Sequence, residues 1–404
     1  MRVALGVGGG IAAYKAAELA RALMERGASV QVILTAAAEE FIRPLTFAAL
    51  TNRKVITDLF GNRSADEVLA SSVEHIRVAQ ETDVLVVAPA TADLLAKFAQ
   101  GLAGDFLTTF YLAFKGRTVL APAMNTNMWE HPATQANIDT LSKRGHTILT
   151  PDSGPLACGT VGPGRLPDPV LIAEAVALIA HPRKDLDGET VLITAGPTQE
   201  AMDPVRFISN RSSGKMGYAL AVAAARRGAR VLLVSGPVNL SAPYGVELIQ
   251  VRSALQMRDA VMSHLPESTI IIKSAAVADY YVSQPPQQKI KKTAARMGLE
   301  LDPTPDILAE AGRSKGDRLL IGFAAETQNL VAEGRRKMET KNCDMVVANL
   351  VSQEGIGFES DHNQVTLVMR TGETIALPKA SKADVADQIF DHAMTLRLAL
   401  HAEQ

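Results

Sequence analysis

The chain starts the same construction twice. Met1-Arg2-Val3-Ala4-Leu5-Gly6 is an apolar strand running into glycines. After the charged, Pro- and Gly-bearing run 181–188, Val191-Leu192-Ile193-Thr194-Ala195-Gly196 repeats it. The next segments correspond as well. Arg26-Gly27-Ala28-Ser29-Val30 leads a second strand in the first half, and Arg227-Gly228-Ala229-Arg230-Val231 leads one in the second. The stretch 82–88 is answered by 268–274. Tandem strand–turn–helix–strand patterns predict an α/β protein of two three-layer, Rossmann-like domains with mostly parallel sheets. The boundaries read as residues 1–180, an exposed polar linker over 181–190, and residues 191–404. A single large sheet would have to bury the charges of that linker.

Composition narrows the class. Lys plus Arg (41) nearly balances Asp plus Glu (43), so no field favours nucleic acid or an anionic membrane. No apolar run approaches the length of a membrane span, and the strand-like start lacks a signal-peptide pattern. Cys158 and Cys343 stand far apart and give neither a disulfide framework nor a zinc spacing. The expectation is a cytoplasmic globular protein acting on small molecules.

In the first half, a buried strand over 2–7 turns through Gly8-Gly9-Gly10 into a helix from Ile11 to about Arg26, with Ala12, Ala16, Leu19, Ala20 and Leu23 on one face. Glycines at a helix start let backbone N–H groups approach a phosphate; a purely structural tight turn is the competing reading. The dinucleotide fingerprint is incomplete, because Ile11 stands where its third glycine belongs. The strand Ser29–Leu34 ends in Thr35 rather than an acid, so nothing there would grip a ribose diol. That favours a phosphomonoester cofactor over NAD and disfavours a dehydrogenase. The Ala88-Pro89-Ala90-Thr91-Ala92-Asp93 turn adds a second small-residue edge. Asn125, in Pro122-Ala123-Met124-Asn125, can bind a carboxylate or simply cap a helix. Residues 155–165, rich in Gly and Pro, read as a flexible loop presenting Cys158. His75 is either functional or packed.

The second half brings Ser212-Ser213-Gly214-Lys215-Met216-Gly217 to a helix start, an anion cradle without the P-loop pattern. Met216, Ala219, Leu220 and Ala223 share one face of that helix. Arg206 and Asn210 stand just ahead of it. Ala275-Ala276-Val277-Ala278-Asp279 leaves a strand at the ligand edge, and Lys289-Ile290-Lys291-Lys292 is a basic segment suited to covering phosphates or else a solvated charge run. Cys343, beside the strand from Met345, reads as inert.

These runs carry a resemblance over essentially the whole chain. The Gly9-Gly10-Ile11-Ala12-Ala13 turn, Thr35, His75, Pro89-Ala90-Thr91-Ala92, Pro122-Ala123-Met124-Asn125 and the Cys158 loop resemble the flavin-dependent phosphopantothenoylcysteine decarboxylases. Asp93-Leu94 departs from the Asn-Thr of many relatives. The Ser209–Gly214, Ser274–Tyr280, Lys289–Lys292 and Gly322–Thr327 runs resemble phosphopantothenate–cysteine ligase. Fused in this order, they are similar to the bifunctional bacterial family of coenzyme A biosynthesis. A rival of another class is a flavin-binding regulatory subunit that has kept the fold and lost the chemistry; it would lack the reactive His or Cys.

The resemblance implies FMN on Gly9, Gly10, Ile11, Thr35, Thr91, Ala92, Asp93, Leu94 and Ala123. It implies His75 as base or orienter, Asn125 on the substrate carboxylate, and Cys158, flanked by Ala157 and Gly159, as proton donor. FMN would oxidise the thiolate so that carbon dioxide leaves to a delocalised ene-thiolate, which is then protonated and re-reduced. In the second half it implies CTP with Mg²⁺ forming an acyl-cytidylate of 4′-phosphopantothenate that cysteine attacks. The nucleotide would meet Lys273, Ser274, Ala275, Asp279, Lys289, Pro305, Asp306, Ile307, Leu308, Phe323, Lys337 and Lys341. Arg206, Asn210 and Ala276 would lie by the pantothenate, with Asn210 and Lys289 catalytic. A homo-oligomer, with FMN sites built partly at subunit contacts, is also implied.

Overall fold

The computed structural model describes residues 1–59, 74–157, 159–180, 183–290, 299–326, 329–350 and 360–402. It divides into two compact units, Met1–Pro182 and Arg183–Gln404. Cys158, Lys291, Lys292 and Thr327 lie outside the described residues.

The first unit holds β1 (Arg2–Val7), β2 (Ser29–Leu34), β3 (Val84–Ala90), β4 (Arg117–Pro122) and β5 (Thr147–Ile148) in one parallel sheet of order β2-β1-β3-β4-β5. All seven residues of β3 are buried, the near-continuous apolar pattern of a strand covered on both faces. Phe98, Phe106 and Phe110 fill the layer between sheet and helices together with Leu94, Leu95 and Leu107. The expected helix opens with a 3₁₀ turn, Ile11–Tyr14, before the α-helix Lys15–Glu25. Ala16, Leu19, Ala20 and Leu23 are buried, as their spacing requires.

One expectation is corrected here. The Gly/Pro-rich run 155–165 is not a loop throughout. β6 (Asp152–Pro155) and β7 (Val161–Arg165) form an antiparallel hairpin. Two prolines are tolerated because a two-stranded ribbon is all edge.

In the second unit the strands are β8 (Thr190–Ala195), β9 (Gln199–Ala201), β10 (Phe207–Ser209), β11 (Arg230–Ser235), β12 (Val246–Gln250) and β13 (Ile270–Lys273). They continue with β14 (Tyr280–Tyr281), β15 (Asp302–Pro303), β16 (Leu319–Glu326), β17 (Met345–Leu350), β18 (His362–Asn363), β19 (Val365–Met369), β20 (Thr374–Ala376) and β21 (Ala380–Ser381). The main sheet has eight strands in the order β12-β11-β8-β13-β16-β17-β19-β20, parallel as far as β17 and antiparallel at the β19–β20 edge. Both halves are thus the three-layer, mostly parallel α/β type that the repeated pattern predicts.

The stretch expected as an exposed linker also differs. Residues 183–190 pack onto the second unit. Leu186 is fully buried, its N–H donates to Arg227 O (3.0 Å), and Lys184 Nζ donates to Arg226 O (2.8 Å). The buried guanidinium of Arg227 takes Asp185 as a partner, together with Asp391 of the C-terminal helix. Burying one leucine contributes roughly 1.5–3 kcal/mol, enough to hold so short a segment down. The run's surface charges obscured that single apolar anchor. Among the described residues, no helix is long and apolar enough to cross a membrane.

Candidate active sites

Strand order locates each site. In the first unit the chain leaves β1 for β2 on one side and for β3 on the other, so crossovers diverge between β1 and β3. Ligands bind outside the carboxyl ends of parallel strands at such a point. The turns after these two strands, Gly9–Ala12 and Thr91–Ala92, line a cavity of about 650 Å³. Ala123, Met124 and Asn125 after β4 complete it, with Pro155, Leu156, Ala157, Gly164 and Arg165 of the hairpin.

The turn after β1 is built for a close approach. A Cβ on Gly9 would stand 2.3 Å from Ala37 Cβ, so only glycine fits there. Gly10 then opens the 3₁₀ turn with no side-chain cap, leaving the first N–H groups for a ligand. Ile11, Tyr14 and Met128 are large, at least half exposed, and all line the cavity. A planar apolar ring would cover that surface. Backbone N–H groups at the glycine turn together with apolar wall residues fit a flavin mononucleotide.

Seven of the residues implied for this half meet at the cavity: Gly9, Gly10, Ile11, Thr91, Ala92, Ala123 and Ala157. Asn125 joins them and also caps the helix Thr126–Glu130, its Oδ1 accepting from Asn127 N–H (2.8 Å). Both readings of Asn125 therefore describe one residue, a helix cap that also lines the cavity. Five others stand elsewhere. Thr35 is buried, its hydroxyl donating to Val7 O (3.2 Å) and accepting from Ala38 N–H. Asp93 is exposed and paired with Lys97 (2.8 Å), while Leu94 is in the core. Gly159 stands in the hairpin turn beside position 158 and is not a wall of the cavity. His75, in the helix Glu74–Glu81, sits edge-on to Phe106 with ring centroids 6.5 Å apart. Among the described residues its buried Nδ1 has no hydrogen-bond partner, and the residue is not part of this cavity wall.

The second unit repeats the logic between β8 and β13. The turns after them, at Gly196 and Ser274–Val277, line a cavity of about 580 Å³. Gly214 starts the helix Lys215–Arg226 at φ +74°, a left-handed cap that glycine adopts without strain, again with no side-chain cap. One turn on, a Cβ at Gly217 would meet Ala195 Cβ at 2.5 Å, so glycine sets how near the helix start lies to the strand end. Leu220 and Ala223 are buried as their spacing predicts, whereas Met216 lines the cavity. By contrast Thr91, Ser253 and Asp306 cap their helices with side chains. The two first-crossover helices are left open at the switch points.

Asn210, Ser274, Ala275, Ala276, Asp279, Phe323 and Lys337 line this cavity. Asn210 Nδ2 donates to Val277 O (2.9 Å) and, at the longer distance of 3.4 Å, to Ala276 O. Ser274 Oγ donates to Thr194 O (2.6 Å). Lys337 Nζ donates to Phe323 O (3.0 Å), and Lys341 pairs with Asp306 at 2.5 Å. Half-buried Lys273 has its ammonium pushed down to about 8 by burial and by Lys337, with Asp306 acting the other way.

Pro305 and Asp306 precede a short helix whose Ile307 and Leu308 side chains are buried in the core, leaving backbone as what they offer a ligand. Arg206 points its guanidinium at Asp203 and Ile290 O, and exposed Lys289 adjoins that contact. Neither Arg206 nor Lys289 is part of the cavity wall.

Lys215 of the expected cradle is on the wall, and three further wall residues escaped the sequence reading: Lys382, Asn349 and Asn363. Lys382 is nearly fully buried, and burial with Lys215 nearby pushes its ammonium down to about 8. It belongs to no motif; only the return of the chain through β18 and β21 brings it here. Cys343 behaves as expected, buried with its thiol pushed up to about 12 by burial.

Comparison with known proteins agrees with this division. Residues 1–181 match the family described as "Flavoprotein", and residues 186–396 match the "DNA/pantothenate metabolism flavoprotein C-terminal domain". The chain is 46% identical over 397 residues to the coenzyme A biosynthesis bifunctional protein CoaBC of Bacillus subtilis, covering 98% of this chain and 97% of that one. It is 47% identical over 398 residues to the protein of the same name from Vibrio vulnificus, covering 98% of each. A solved structure of the C-terminal domain of such a protein is 42% identical, covers 53% of this chain and 97% of that one, and has a TM-score of 0.46. The chain belongs to the family of bifunctional coenzyme A biosynthesis proteins, in which a flavoprotein decarboxylase domain and a phosphopantothenate–cysteine ligase domain share one polypeptide.

Proposed function

We propose that the second unit activates 4′-phosphopantothenate with CTP and couples it to cysteine, and that the first unit, holding FMN, decarboxylates the product to 4′-phosphopantetheine. The observation that carries this is the pair of switch-point cavities, each entered by a glycine-started, uncapped helix. Anionic ligands suit both places.

In the ligase half the substrate carboxylate attacks the α-phosphorus of CTP and pyrophosphate leaves; cysteine's amine then attacks the acyl carbon and CMP leaves. Positioning and charge carry such transfers. Lys337, Lys341 and Lys273 gather at the nucleotide end, Lys289 approaches the phosphates, and Asn210 faces the acyl group. Asp279 is the carboxylate on the described cavity wall, suited to a magnesium ion that arrives with the phosphates.

In the decarboxylase half, FMN supplies the two-electron acceptor that a cysteinyl carboxylate lacks. The Gly9–Ile11 backbone would hold its phosphate, and Ile11, Tyr14 and Met128 would shield the ring from water. Asn125 would orient the carboxylate and Cys158 would deliver a proton to the ene-thiolate carbon, after which the two electrons return to give the thiol. His75 would serve such a site from a subunit contact, which makes the functional form a homo-oligomer.

Flavin absorbance together with pyrophosphate release that requires both CTP and 4′-phosphopantothenate tests the reading. A yellow protein that consumes no CTP would instead be a flavin-binding subunit without the ligase.

A further inference from the structure

Just ahead of Asn210, β9 and β10 form a short hairpin whose tip runs from Met202 to Arg206. Asp203, at this tip, is a charged residue only 3% exposed. Its two oxygens do different work. Oδ1 closes the turn by accepting from Val205 N–H and Arg206 N–H, both at 2.8 Å. Oδ2 accepts from Arg206 Nε (3.0 Å) and Nη2 (2.6 Å) and, from far along the chain, from Ile290 N–H (3.1 Å). Arg206 Nη2 in turn donates to Ile290 O at 2.9 Å.

Both backbone polar groups of Ile290 are therefore held by one ion pair, whose carboxylate is buried and whose guanidinium is partly exposed. A turn alone needs only Oδ1, so the Oδ2 half of the arrangement serves residue 290. The neighbouring residues 283–289 are exposed, and Ile290 is the half-buried point at which this segment is fastened. A lysine on a long, rotatable stem contributes to a transition state only when its own backbone is fixed.

We propose that Asp203 and Arg206 form a latch that fixes Ile290 and so sets where the adjacent Lys289 stands, making Asp203 a positioning residue for the ligase that acts through Lys289. The inference rests on Lys289 serving the nucleotide phosphates. Arg206 beside Asp203 holds its carboxyl well below the usual carboxylate range, against the opposing effect of burial, and the N–H groups of Val205, Ile290 and Arg206 add to this. The Asp203 carboxylate thus stays ionised across the working pH range.

Asp203→Asn separates the two roles. An amide keeps an oxygen for the turn but sets an N–H₂ donor against Arg206 and Ile290 N–H. Ligase turnover at saturating CTP is measured for wild type, Asp203→Asn, Lys289→Gln and the double variant. Asp203→Asn should lower turnover about 10- to 100-fold, as misplacement by about an ångström does. The double variant should be no slower than Lys289→Gln alone, because the effects run through one group. Multiplying effects, or wild-type turnover in Asp203→Asn while Lys289→Gln is slow, would overturn the latch and leave the role of Lys289 intact. Wild-type turnover in Lys289→Gln would overturn both. Amide exchange of the wild-type protein decides the matter even if Asp203→Asn does not fold: Ile290 N–H should exchange more slowly than residues 287–289, and equal exchange would refute the latch.

Discussion

Asn210→Asp separates binding from chemistry in the second site. The wild-type amide donates to Val277 O at 2.9 Å and to Ala276 O at 3.4 Å, tying the loop before the Gly214 cradle to the turn after β13. Aspartate removes both donors and turns an anionic oxygen toward those carbonyls. Only the shorter contact has good hydrogen-bond length, and a neutral bond nets about 1 kcal/mol, so losing the tether should raise the KM for CTP roughly fivefold. Asn210 is exposed, and water limits the added repulsion. The chemical effect should be larger. An amide hydrogen exchanged from the long Ala276 contact onto the acyl oxygen would stabilise the charge that builds as cysteine attacks. Losing such a donor costs about a hundred- to a thousandfold in rate. Formation of the acyl-cytidylate puts its charge on phosphate instead. In a quenched-flow assay the variant should release one pyrophosphate per site and accumulate the acyl-cytidylate while amide formation fails. If both half-reactions slow by the same small factor, Asn210 is only a tether. If the intermediate never forms, its role lies earlier and the reasoning is wrong.

Fragments cut between residues 182 and 183 should each fold and keep one activity, whereas a second fragment begun at residue 191 loses Leu186 and should be less stable by roughly 1.5–3 kcal/mol in urea unfolding; equal midpoints would show that 183–190 contributes nothing. Cys158→Ala should let an oxidised, decarboxylated species accumulate, and His75→Asn should block substrate oxidation itself; normal 4′-phosphopantetheine output from either variant removes that residue from the mechanism. Lys273, with its ammonium at about 8, is charged below that pH and neutral above it, so kcat/KM for CTP should fall as pH rises through 8 and Lys273→Met should flatten the limb. The same lowered value means the folded protein sheds this proton before the unfolded chain does. Lys273 therefore adds to stability as pH rises from about 8 toward 10.5.

The sheet strands were legible because each is a short apolar run ending in small residues, and parallel strands buried on both faces leave that mark. Val84–Ala90 and Thr190–Ala195 are cases. Gly9 and Gly217 could be read as close approaches for the same reason: a missing Cβ is visible in sequence. What could not be read depends on chain return. Lys382 and Asn363 reach the ligase cavity only through the β18–β21 pairing. Asp203 could not be singled out, because its decisive partner, Ile290, is 87 positions away. Leu186 was hidden among charges, and Thr35, Asp93 and Leu94 stand away from the cavity wall because capping, an ion pair and the core claim them first.

The central claim is that one chain makes and then decarboxylates the same intermediate. Mass spectrometry of products from 4′-phosphopantothenate, cysteine and CTP, run with FMN-loaded and FMN-stripped protein, tests it most directly. The loaded protein should yield 4′-phosphopantetheine, and the stripped protein should stop at the cysteine amide with one CTP consumed per amide formed. Absence of the amide in both, or an amide made without consuming CTP, would contradict the account.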